Sequence, residues 1–173
     1  MTERQKYSIV TKFKDFELRN YNSCVLAQVT MTSDYSSATS GAFRHLFNYI
    51  SKGNEVSKSI AMTAPVIAST DKGSSSQDWT ISFVMPAGST LNDLPLPLDS
   101  KVAMKERASE NCVALGFKGR ASESLALKME AKLREAATSE GFALSKEVRI
   151  CRFDPPFKPG FMQYNEIVIP VTQ

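Results

Sequence analysis

This chain repeats one order of periodicities at a fixed spacing, and that repetition limits its fold more than any single motif does. In the first half, VLAQVTM alternates, placing Val25, Ala27, Val29 and Met31 on one face of a strand. SSATSGAFRHLFNYIS then changes period: Phe43, Leu46, Phe47 and Ile50 fall at i, i+3, i+4 and i+7, one stripe of an amphipathic helix. Ser33 or Asp34 can cap its start, and Gly53 lies where a C′ residue belongs. SIAMTAPVIAS and DWTISFVMP alternate again around the polar stretch TDKGSSSQ, as in a hairpin. A proline-rich connector, PAGSTLNDLPLPLDS, follows. The second half repeats the order: a strand in NCVALGFKG, a helix in SESLALKMEAKLREAATSEGF, and strands in KEVRICRF and NEIVIPVT. The second helix is expected to bury Leu125, Met129, Leu133 and Ala136, with Ser122 as cap and Gly141 as stop. Arg19 and Arg107, and likewise Cys24 and Cys112, stand 88 positions apart, and the two helix patterns overlay. The spacing implies a duplicated β-α-β-β unit with about eight antiparallel strands, two helices and a pseudo-twofold, an α+β fold. A single domain over 1–173 is expected, with halves of about 7–86 and 100–173.

Composition narrows the functions. A net charge of +3 with basic and acidic residues interspersed carries no nucleic-acid footprint. No apolar run is long enough for a membrane span, and the first residues carry no secretory pattern. Three widely spaced cysteines, Cys24, Cys112 and Cys151, form no CxxC pair, so reduced thiols in a cytoplasmic protein are the expectation, with no structural metal. The expected state is a monomer.

Catalytic signals are sparse. The one histidine, His45, falls opposite the helix stripe and is expected in solvent, away from any Ser-His-Asp arrangement. GxSxG, HExxH and P-loop patterns are absent, and no catalytic residue is assigned. What remains is a binding site. Two stretches are rich in aromatics, AFRHLFNYI and FDPPFKPGFMQY. The second packs three prolines, a glycine and three phenylalanines around Lys158, the composition of a rigid apolar wall with one cationic anchor. It suits a flat, apolar, anionic ligand. The corresponding connection in the first half, STDKGSSSQD, is polar and carries no aromatic residue.

Four segments together resemble the SOUL/heme-binding protein family: FELRNY, AFRHLFNYISKGNE, IAMTAPV and FDPPFKPGFMQYNEIVIPV. They occur in the family's order and span nearly the whole chain. The resemblance implies a distorted β-barrel with two flanking helices, and binding of heme or a related tetrapyrrole with no settled enzymatic activity. It implies a cleft between the first helix and the late loop. Phe43 and Phe47 would form one wall with Arg44 and Asn48 at its rim, and Phe157 and Lys158 would form the other. Tyr164 stands at one of two family positions that are basic elsewhere, and Asn20 stands where some members carry a histidine. Met62, Cys151, Tyr164 and His45 are the remaining candidates for an iron ligand. Two other classes stay open: an enzyme or effector-binding module acting on a hydrophobic ligand through Glu17, Glu106 or Glu166, and a protein-interaction module using the Pro/Phe loop.

Overall fold

The computed structural model describes residues 2–75 and 77–172, so the polar stretch TDKGSSSQ is described except for Ser76. In chain order the elements are β1 (Glu3–Arg4), β2 (Tyr7–Lys12), β3 (Glu17–Tyr21), β4 (Cys24–Thr32), α1 (Tyr35–Ile50), β5 (Thr63–Ala64), β6 (Val66–Asp71) and β7 (Asp78–Val84). The second half contributes β8 (Ala103–Arg107), β9 (Glu110–Lys118), α2 (Glu123–Ser139), β10 (Glu147–Arg152), a 3₁₀ turn (Gly160–Met162) and β11 (Tyr164–Pro170). Nine strands form one antiparallel sheet in the order β2-β3-β9-β11-β10-β6-β7-β4-β8, curled into a half-barrel, while β1 and β5 pair separately in parallel. The α+β class with two flanking helices is as expected. The additional strands, β2, β3 and β8, are short or exposed and mix charge with apolar residues, so alternation marks them poorly.

The register shows the twofold. Strands β3, β4 and β7 begin at 17, 24 and 78, and β8, β9 and β11 begin at 103, 110 and 164, a constant 86. The helices begin at 35 and 123, 88 apart. Because 86 and 88 are both even, the alignment at 88 keeps each side chain on its proper face of the sheet. At the centre β6 pairs with β10, and at the flanks each repeat gives its first strand to the other: β3 pairs with β9, and β8 with β4. Arg19 lies opposite Cys112, and Arg107 opposite Cys24, so the repeated Arg and Cys meet in crossed pairs.

Both helices lie on one face of the sheet over the main apolar core. Asp34, rather than Ser33, caps α1 by accepting from the Ser37 N–H at 2.7 Å. Its buried stripe is Tyr35, Ala38, Ala42, Leu46, Tyr49 and Ile50. Leu46 and Ile50 belong to the expected stripe, but Phe43 and Phe47 stand beside it. Small residues at 38 and 42, and Gly41 against Met31, bring the helix close to the sheet, which turns the two large rings to its flank. At the C-terminus Lys52 takes the left-handed conformation at φ 85°. Gly53 is needed for a different reason, since a Cβ there would lie 2.5 Å from the Asn48 carbonyl oxygen. In α2, Ser122 caps and Gly141 stops the helix at φ 94°, as expected. Its seam is Ala126, Glu130, Leu133 and Ala137, with Leu125, Met129 and Ala136 partly buried beside it. Glu130 enters the seam because Arg134 donates to it at 2.9 Å.

The connector between the halves docks on the C-terminal part of α1. The Tyr49 hydroxyl donates to the Pro95 carbonyl at 2.7 Å, and His45 binds Asp99. His45 is therefore tied to the connector rather than free in solvent, because the connector crosses the helix face assigned to solvent.

Candidate functional site

The candidate site starts from one ridge of side chains along α1. Tyr35, Thr39, Phe43 and Phe47 follow at intervals of four along a ridge about 18 Å long at 1.5 Å per residue, which winds from the buried seam at Tyr35 out to solvent at Phe47. The Phe43 and Phe47 rings stack with centroids 5.9 Å apart, and Phe43 meets the edge of Phe83 at 5.3 Å. Phe83 is buried, whereas Phe43 is 38% and Phe47 48% exposed. The pair thus forms an apolar step that rises from the core into solvent, with Arg44 and Asn48 exposed beside it.

The sheet carries this step toward the Pro/Phe loop. Phe83 on β7 is paired with Val66 on β6, and Val66 with Arg152 on β10. Two strand spacings, about 10 Å, therefore separate Phe83 from the last residue of β10, where the loop begins. Alternation puts Val148, Ile150 and Arg152 on the helix face, with the first two buried. Arg152 follows them to the rim and lies near the Tyr35 hydroxyl. Burial pushes the Tyr35 phenol up, and the Arg152 charge opposes that shift. The Tyr35 hydroxyl also donates to the Ala121 carbonyl at 3.0 Å.

The loop from 153 to 163 is fastened from within. Asp154 accepts from the Tyr164 N–H at 2.7 Å and from Lys158 Nζ at 3.1 Å, and Gln163 donates to the Lys158 carbonyl at 2.8 Å. The Tyr164 N–H above all holds the Asp154 carboxyl below its usual range; burial opposes this, and Lys158 adds to the lowering. Phe157 and Phe161 project outward at 87% and 78% exposure. Tyr164 lies apart from the other candidates. Strand alternation turns it to the opposite face of the sheet, where its ring crosses Gly116 and its hydroxyl donates to Glu166 at 2.7 Å.

That opposite face carries its own polar cluster. Arg19 donates to both Glu166 oxygens at 2.8 Å, to Glu17 at 2.9 Å and to the Tyr21 hydroxyl at 2.9 Å, under the ring of Tyr7. Burial disfavours the Arg19 charge, and the bonds to Glu166 more than offset it. A groove of about 290 Å³ runs beside the cluster, lined in part by Lys12, Phe16, Glu17 and Tyr164. Of the three carboxylates considered for chemistry, Glu166 is buried but neutralised by Arg19, Glu17 is half-buried and shares that arginine, and Glu106 is exposed. Burial raises all three thiols, that of Cys112 to about 12, so each is protonated at neutral pH.

Sequence reasoning missed Arg152 and the Arg19–Glu166 pair. Arg152 did leave a signal: a cation at the third position of an alternating run whose first two members, Val148 and Ile150, are apolar. Two half-exposed rings, a buried aromatic beneath Phe43 and a half-buried guanidinium thus lie on the helix side of the sheet, a set of groups suited to a flat apolar ligand with a carboxylate edge.

Comparison with known proteins agrees on fold and family. The chain is 29% identical over 158 residues to Heme-binding protein 1 of Sus scrofa, covering 88% of this chain and 82% of that one. It is 24% identical over 155 residues to Heme-binding protein 1 of Xenopus laevis, covering 88% and 81%. The EcmrR C-terminal domain shares the fold at a TM-score of 0.71 and 15% identity, over 96% of this chain and 98% of that one. A hydrolase from Listeria innocua shares it at 0.61 and 14% identity, over 94% of each. The family of SOUL heme-binding proteins matches residues 2–170. The chain belongs to the SOUL heme-binding protein family.

Proposed function

We propose that this protein binds heme or a related tetrapyrrole in the cleft between α1 and the loop from 153 to 163, and that it buffers or carries that ligand. The observation that carries this reading is the stacked Phe43–Phe47 pair, half in water and supported from below by buried Phe83. Rings exposed in that way leave apolar area for a flat partner to cover, at about 25 cal/mol per Å². Phe157 and Lys158 form the opposite lip, and Arg44 and Asn48 the outer rim of the helix wall. The family and the curated relatives support the ligand class. The same reading makes the protein a non-enzymatic, cytoplasmic monomer. No helix among the described residues is long and apolar enough to cross a membrane.

Titration with hemin, followed by the Soret band, tests the proposal. Saturable binding at low micromolar concentration is expected. Phe43→Ala and Phe47→Ala should each weaken it about tenfold, the loss of about 1.4 kcal/mol of ring contact. Absence of a saturable change in the parent protein would refute ligand binding, and unchanged affinity in both variants would refute the cleft.

A further inference from the structure

We propose that Arg152 anchors the ligand's carboxylate and makes the cleft selective for tetrapyrroles whose propionates are free. The inference rests on the reading above and adds a residue and a ligand feature to it. Arg152 closes the helix-face row of β10 after buried Val148 and Ile150, at a position whose register partner, Val66, packs against the core. It is therefore a half-buried cation on the apolar side of the sheet, next to the floor on which Phe43 rests. Among the described residues it makes no ion pair. Both Arg152 and Glu123, at the start of α2, act on Tyr35.

Three other cations are committed, whereas Arg44 at the rim is exposed to water. Arg19 and Arg149 each hold two carboxylates on the opposite face. Lys158, the sequence-based anchor, already holds Asp154 at 3.1 Å. A guanidinium kept partly from water without a carboxylate partner gains most from an anion brought in by a ligand, because a planar fork accepts both oxygens of one carboxylate. An i, i+4 ridge of α1 connects that fork to the rings: Tyr35, beside Arg152, and Phe43 are eight residues apart along it, about 12 Å in rise. A macrocycle lying on Phe43 and Phe47 would direct a carboxylate-bearing edge toward Tyr35 and Arg152.

The test compares protoporphyrin IX with its dimethyl ester, which keeps the ring and removes both charges. Parent, Arg152→Gln, Arg152→Lys and Lys158→Gln proteins are titrated with each, with thermal unfolding as a check of folding. In Arg152→Gln, affinity for the free acid should fall about tenfold while affinity for the ester stays within about twofold. Arg152→Lys should recover part of the loss, and Lys158→Gln, which frees Asp154 and loosens the loop lip, should weaken acid and ester alike. An unchanged ratio of acid to ester affinity in both Arg152 variants would overturn the assignment, as would equal loss of both ligands, which would mark Arg152 as a structural support for Tyr35. Failure of the parent to bind either compound would instead remove the proposed function, and this inference with it.

Discussion

Glu166 shows what one residue can and cannot do in this fold. A carboxylate so well buried in a β-sheet invites a catalytic reading, yet two parallel bonds from Arg19 and one from Tyr164 occupy its oxygens. Such a pair costs several kcal/mol of desolvation per ion, recovered only when every oxygen is satisfied. Here the satisfaction depends on a residue with no side chain. A Cβ at Gly116 would lie 2.4 Å from the Tyr164 hydroxyl and 3.0 Å from its ring. Gly116→Ala should therefore displace Tyr164 and destabilise the protein by about 1–3 kcal/mol. In a Tyr164→Ala background the same substitution should cost much less, and urea unfolding of the four proteins in a double-mutant cycle measures the difference. Additivity would show that the glycine matters for another reason.

At the scale of elements, the loop from 153 to 163 is the piece whose order depends on pH. Asp154 fastens it by accepting from Tyr164 and Lys158. Its folded-state pKa lies below the ordinary 3.8. The stabilisation is therefore complete above the unfolded value and is lost as pH falls through the lower, folded one. An NMR titration should show the Tyr164 amide proton moving with a midpoint below 3.8, and Asp154→Asn should abolish that step. A midpoint at or above 3.8 would contradict the contact. The loop was legible in sequence because prolines and glycine punctuate it and because its partner loop lacks aromatics. Helix faces were less legible. Periodicity located α1 but centred its stripe on Phe43 and Phe47, since size favours large apolar residues as core. The true seam runs through Ala38 and Ala42, where small side chains permit close approach. Arg152 escaped notice for the converse reason, a cation at the end of an otherwise apolar row.

At the scale of the whole molecule, the duplication was readable because strands and helices alternate in the same order twice. The exchange of first strands was not, because pairing across repeats leaves no local pattern. It has a measurable outcome. Neither half completes its own sheet: β3 needs β9, β8 needs β4, and the β6–β10 seam joins the two. Fragments 2–86 and 100–172, made separately, should show no cooperative thermal transition by circular dichroism. A half that unfolds cooperatively alone would argue that the exchange contributes little.

The strand exchange also fixes the order in which a growing chain can secure itself. β3 takes its inner neighbour, β9, from residues 110–118, so the second strand pair of the sheet waits for the second half of the chain to be synthesised. Until then β2 and β3 have no inner neighbour, and their unpaired edge is available to other chains. A ribosome-bound intermediate of this protein would therefore expose its earliest strands longest, making translation rate a determinant of its yield.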